Sequence, residues 1–216
     1  MPRRADPDVR RQQVADAVID EIAEHGLRSV TLARIAARTG LAIGSIRHYF
    51  GDTIREVMRF TLNVLIQRAQ ARSPAPSGDP VTRIVDLIAF VAPTTEQEHK
   101  ENIALVEYRV MGRTDQEIGA EIAAASLTAV TAVRSLLREV MADRAVDDEA
   151  LHREALLLVT VIEGFSLSAA LASTPVREND VRAVVSTTLQ RLRGAYPPAQ
   201  GADGGAGSHP APSPGA

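Results

Sequence analysis

The chain has 216 residues, 45% of them hydrophobic and 24% charged, with a formal net charge of −3. That is enough for a small module plus a larger one, and the balance is that of a soluble globular protein. It contains no Cys, which excludes disulfides, thiolate zinc sites and thiol catalysis, and its five His residues include no pair at helical ligand spacing. No metal or cofactor is therefore expected. The N-terminal MPRRADPD lacks the apolar core of a signal peptide. The most apolar run, 155–171, is interrupted by Glu163 and falls short of the ~20 residues that span a bilayer, so no membrane partner is expected and the location reads as cytoplasmic. Charge is unevenly spread. Residues 1–60 hold ten Arg against eight acids, whereas 61–194 hold fourteen basic and eighteen acidic residues, a weak sign of a nucleic-acid-binding end.

Helical periodicity is nearly continuous and strand alternation is lacking, which predicts an all-α fold of about nine helices. The first is predicted from about Asp8 to His25, with Val14, Val18 and Ile22 on one face and Gly26 as its stop. The second follows the N-cap Thr31, buries Leu32, Ile35 and Ala36, and ends at Gly40. The third covers about Ile43 to Tyr49, with Ile43, Ile46 and Phe50 at i, i+3 and i+7. A capping box over Thr53 and Glu56 starts the fourth, which continues through Val57, Met58 and Leu65. Residues 73–78 (SPAPSG) read as a linker, after which Asp79-Pro80 restarts a helix with Pro at its first position. Further helices are expected at about 80–92, 95–112, 115–142, 147–172 and 178–193. The expected organisation is a head over 1–60, with helix four running on to about 72, a body over 73–194, and a disordered Gly/Pro/Ala/Ser tail over 195–216.

Two short helices around Gly40-Leu41-Ala42 make a helix-turn-helix, whose second helix presents Ser45, Arg47, His48 and Tyr49 away from the small core. Polar, planar, hydrogen-bonding side chains on an exposed short helix are what reading a major groove requires. One rival reading is a purely helical interaction protein that binds no DNA, or an activator using the same head without a small-molecule inducer; the other, an enzyme, finds little support. Gly164-Phe165-Ser166-Leu167-Ser168 lacks the second Gly and the preceding strand of a nucleophile elbow, and no phosphate-binding loop or metal motif is present.

The run Gly26-x4-Thr31-x3-Ile35-Ala36-x3-Gly40-Leu41-x2-Gly44-x-Ile46-x-His48-Tyr49-Phe50 closely resembles the TetR family of transcriptional regulators, specifically over about residues 8–65. The resemblance implies a homodimeric DNA-binding regulator, a repressor released from a double-stranded operator by a small-molecule effector. Carried onto this sequence, it implies DNA contacts from Thr31, Ala42, Ile43, Gly44, Ser45, Arg47, His48 and Tyr49. Thr31 and Tyr49 are expected on phosphates, and Arg47 on guanine or phosphate. The family often has Lys near Thr53; the nearest basic substitute here is Arg55, which joins the expected contacts. It also has Tyr where this chain has Arg47, and often Ser where it has Ala42.

In the body, Phe90, Tyr108, Met111, Glu163 and Phe165 are the candidate ligand-binding residues that the resemblance suggests, although each of the apolar ones also reads as core. Glu163 within an apolar helix reads equally as a ligand contact, an interface hydrogen bond or a paired core acid, since an unpaired buried carboxylate is costly. The dimer interface is expected on the last two helices. Val181, Val185 and Leu192 form an apolar face, with small Ser166 and Ala170 opposite to allow close approach.

Overall fold

A computed structural model describes residues 6–72, 78–89, 92–171 and 176–199. The fold is all-helical: α1 (Pro7–His25), a 3-10 turn (Leu27–Ser29), α2 (Leu32–Thr39), α3 (Ile43–Phe50), α4 (Ile54–Ala71), α5 (Pro80–Ala89), α6 (Glu96–Met111), α7 (Gln116–Val140), α8 (Asp148–Ala170) and α9 (Glu178–Ala195). Among the described residues the only β pairing is an isolated bridge between Arg144 and Pro198. Residues 1–5 and most of the predicted linker lie outside the described residues.

The helix ends follow local chemistry. Asp6, Thr31, Thr95, Asp115 and Asp147 each accept backbone N–H bonds as N-caps, and left-handed Gly40 (φ 68°) turns the chain between α2 and α3. The capping box expected at Thr53 and Glu56 is not formed. The Thr53 hydroxyl meets the Glu56 carboxylate itself, and Glu56 folds back beside the tight turn at Gly51 (φ 92°) instead of reaching the cap amide. The reciprocal box forms at Thr95 and Glu98, where the same T-x-x-E spacing occurs.

Two hydrophobic cores result. One gathers α1–α4 around Val18, Ile22, Ile35, Ile46 and Leu62, and it also takes in Ala104 and Tyr108 of α6 and Ile118 of α7. The other joins α5, α8, α9 and the distal half of α7. Helix α6 therefore belongs to the head's packing as much as to the body's. Helix α7 is long and apolar enough, by length and composition, to cross a membrane. Its inward residues Val130, Val133, Leu137 and Val140 are spent on the body core. The chain stays ordered past the expected end of α9. Tyr196–Ala199 lie against the α7–α8 connection, with Ala145 N–H donating to the Pro197 carbonyl (2.8 Å) and the Tyr196 hydroxyl donating to Glu154 (3.2 Å). Residues 200–216 lie outside the described part.

Candidate DNA-reading head and body cavity

The head is held by a buried acid. Glu21 of α1 is 1% exposed and pairs with Arg34 (2.5 Å) and Arg38 (2.7 Å) of α2, while Arg38 also grips Glu24. Burial pushes the Glu21 carboxyl up, but hydrogen bonds from Arg38 and Ser29 and the charges of Arg34 and Arg38 outweigh it and leave the group below its ordinary range. Two more tethers fix the helix-turn-helix to α1. Gln13 donates to the Thr39 carbonyl (2.9 Å) and Arg11 to the Tyr49 carbonyl (3.3 Å). Phe50 packs edge-on against Phe60 of α4 (centroids 5.2 Å apart), as a core residue should.

This scaffold leaves the outer side of α3 open. Ala42, Ile43, Gly44, Arg47 and His48 are exposed, Ser45 and Tyr49 half-buried, and Ile46 fully buried beneath them. A Cβ at Gly44 would meet nothing within 4 Å, so the surface here is flat and accessible. Arg47 and His48 are in no ion pair among the described residues, and the His48 and Tyr49 rings meet edge to face at 5.4 Å. Thr31 is exposed at the start of α2. Its hydroxyl oxygen accepts from Arg34 N–H (3.2 Å), which leaves the O–H free to donate outward. Arg55 departs from expectation. It pairs with Asp115 (3.2 Å), the N-cap of α7, so its charge is already partnered within the chain, linking α4 to the body.

In the body, α4–α8 enclose a cavity of about 450 Å³, within the range of small-molecule sites. Ile66 and Gln70 of α4, Leu87 of α5, Asn102, Leu105 and Arg109 of α6, Ile122 and Ser126 of α7, and Val159, Ile162, Glu163 and Ser166 of α8 line it. Of the residues expected here, Glu163 is on the wall. Tyr108 is not. It is fully buried in the head's core, with its hydroxyl donating to the Met58 carbonyl of α4 (2.9 Å), and burial drives its pKa far upward. Met111 packs against the same core and Phe165 against the body core, and neither lines the cavity. Phe90 lies outside the described residues. The sequence reading missed Asn102 and Arg109. Their seven-residue spacing, through Leu105, places them on one face of α6, but nothing in the sequence marks that face as facing a void.

The expected interface residues also move. Val181, Val185 and Leu192 are buried within the chain's own core, because α5 already covers that face of α9. Ser166 is inside too: its hydroxyl donates to Asn102 (2.6 Å) while its carbonyl accepts from the Asn102 amide (2.8 Å). Ala170 is half-buried. The large apolar groups left outside on α8 and α9 are instead Leu156, Leu157, Leu167 and Val184, with Leu171 just past the end of α8.

Residues 15–53 match the family model for bacterial regulatory proteins of the tetR family, and residues 80–194 match that of the BetI-type transcriptional repressor C-terminal region. The chain is 25% identical over 193 residues to the HTH-type transcriptional regulator BetI of Paraburkholderia phytofirmans, covering 81% of this chain and 89% of that one. It is 24% identical over 201 residues to the regulator PksA of Bacillus subtilis, covering 89% and 94%. Among solved structures, a transcriptional regulator from Rhodococcus sp. Rha1 superposes with a TM-score of 0.75 at 20% identity, over 86% of this chain and 97% of that one. A putative regulator from Saccharomonospora viridis, solved in complex with choline, superposes with a TM-score of 0.74 at 16% identity, over 85% and 96%. These relatives are regulators, not enzymes.

Proposed function

The chain belongs to the TetR family of DNA-binding transcriptional regulators, and from that premise we propose that it is a cytoplasmic repressor that holds a palindromic operator as a homodimer and releases it on binding a small molecule. The observation that carries this reading is the exposed outer side of α3, where unpaired Arg47 and His48 flank Tyr49 on a head whose core is complete without them. Among the described residues no ion pair or hydrogen bond uses the Arg47 or His48 side chain, whereas a major groove would use both. Thr31 and Tyr49 serve as phosphate contacts at the two sides of the groove, and Ala42, Ile43, Gly44 and Ser45 give close approach to the bases.

One short helix reads too little sequence alone, so two heads act together, about one helical turn of DNA (~34 Å) apart or a multiple of it. The exposed Leu156, Leu157 and Leu167 of α8 and Val184 of α9 support an interface on the outer faces of these helices, where an identical copy would bury them. The cavity supports ligand control, as does the choline complex of the S. viridis relative. Helix α4 connects the two halves. Ile66 and Arg72 line the cavity, Arg68 (3.0 Å) and Arg72 (2.6 Å) pair with buried Glu101 of α6, and Tyr108 bonds the α4 backbone nearer the head. A ligand that displaces α6 from α4 shifts the heads relative to each other, by no more free energy than its differential affinity for the two arrangements.

The test is retardation of sheared genomic DNA in a gel by the purified protein. Wild type should retain a small subset of fragments at a protein concentration where Arg47→Ala with His48→Ala retains none. Equal retention of all fragments by both proteins would remove α3 from the reading of DNA.

A further inference from the structure

The cavity wall carries four charged side chains, and the fold accounts for only two of them. Arg72 is paired with Glu101. Glu98 is consumed by the start of α6, where it accepts from the Thr94 and Thr95 amides (2.7 and 3.2 Å) and the Thr94 hydroxyl (2.8 Å). Arg109 and Glu163 remain. Among the described residues neither side chain makes an ion pair or a hydrogen bond, with each other or with any neighbour. By contrast, the arginines that α4 and its C-cap turn towards the body are paired: Arg55 with Asp115, Arg59 with Glu117 and Glu121, Arg68 and Arg72 with Glu101. Both side chains are half-buried on the wall of one largely apolar cavity, and a ligand that brings the complementary groups gives each a charge-assisted hydrogen bond that the chain itself does not supply.

Their placement separates the two groups. Asn102 and Ser166 are locked together across α6 and α8, and Glu163 stands one turn of α8 from that knot. Arg109 is seven residues beyond Asn102, about 10 Å along α6. Leu105, Ile122 and Ile162 are among the apolar side chains of the same wall.

Resting on the reading that this cavity is the effector site, we infer that its ligand is an extended, largely aliphatic carboxylate that carries a hydrogen-bond donor at its far end. The carboxylate meets the Arg109 fork, the hydrocarbon lies along the apolar wall, and the distal hydroxyl or amine donates to Glu163. A simple cation satisfies Glu163 alone and leaves Arg109 unpaired.

The experiment is calorimetric titration of the full chain with decanoate, ω-hydroxydecanoate, decylamine and decanol, chosen to share one body and differ in their ends. Decanoate should bind about tenfold or more tightly than decylamine or decanol, and ω-hydroxydecanoate more tightly still. Arg109→Met should erase the carboxylate preference, Arg109→Lys should keep most of it, and Glu163→Gln should remove only the gain from the distal hydroxyl. Should Arg109→Met fail to fold, the wild-type ranking and the Lys variant decide. Decylamine binding as well as decanoate, or a carboxylate preference that survives in folded Arg109→Met, overturns the inference while leaving a ligand site in place. If no compound binds, decanol included, the cavity is no effector site, and the reading beneath the inference falls with it.

Discussion

Arg47 projects from α3 with no ion-pair or hydrogen-bond partner among the described residues, and its planar fork can address the O6 and N7 of one guanine. Such a contact is worth ~1–3 kcal/mol of discrimination. Arg47→Ala is therefore expected to relax preference at one symmetric base position per half-site, as a base-by-base operator scan would register. Unchanged preference would take Arg47 out of base reading. Tyr108 makes the opposite case. Its hydroxyl is sealed against the Met58 carbonyl, so Tyr108→Phe should cost about 1 kcal/mol of stability in urea unfolding and leave effector affinity unchanged. A variant with lost effector binding and wild-type stability would return Tyr108 to the ligand site.

Between α6 and α7 the chain turns through two glycines packed face to face. A Cβ on Gly119 would stand 2.6 Å from the Gly112 carbonyl oxygen, a backbone atom that cannot rotate away. Gly119→Ala must push α7 off α6, and an overpacking cost of ~1–3 kcal/mol is expected in thermal or urea unfolding. A neutral result would mean that the turn relaxes freely. The α1–α2 pairing gives a pH signature. Because the Glu21 carboxyl sits below its ordinary range when folded, its contribution to stability is complete above that range and is lost as pH falls through the lowered folded value. Wild type should lose stability on acidification to below about pH 4, and Glu21→Gln should be less stable at neutral pH but show a shallower acid dependence. Parallel profiles for the two proteins would contradict that assignment.

The elements were largely legible in the sequence, because Gly26, Thr31, Gly40 and Asp79-Pro80 act locally, within one turn of the ends they set. What those elements face was less so. The apolar stripe Val181, Val185, Leu192 is visible from its period, but periodicity does not say whether α5 of the same chain or a second copy covers it. The same limit hid the cavity. Leu105 and Tyr108 are three residues apart on α6, yet one lines a void and the other fills the head's core. The pairing of Arg55 with Asp115 joins residues sixty positions apart, a link that no local motif carries.

At the scale of the whole molecule, reading an operator with two heads requires two copies, which we propose join through the outer faces of α8 and α9. Leu157 is 51% exposed, so Leu157→Glu should leave the protomer folded, yield monomers in sedimentation, and abolish tight operator binding. Val185→Glu would be uninformative about the interface, since Val185 is fully buried and a charge there should unfold the body. A Leu157→Glu protein that remains dimeric would place the interface elsewhere.

The central claim is that paired heads read an operator with twofold symmetry through α3. Sequencing of the genomic fragments retained by the purified full chain tests it most directly. Enrichment of an inverted repeat whose half-sites are separated by a whole number of helical turns is expected, with one guanine position in each half-site losing its preference in Arg47→Ala. Recovery of fragments with no shared motif, or of a single asymmetric site unaffected by Arg47→Ala, would contradict it.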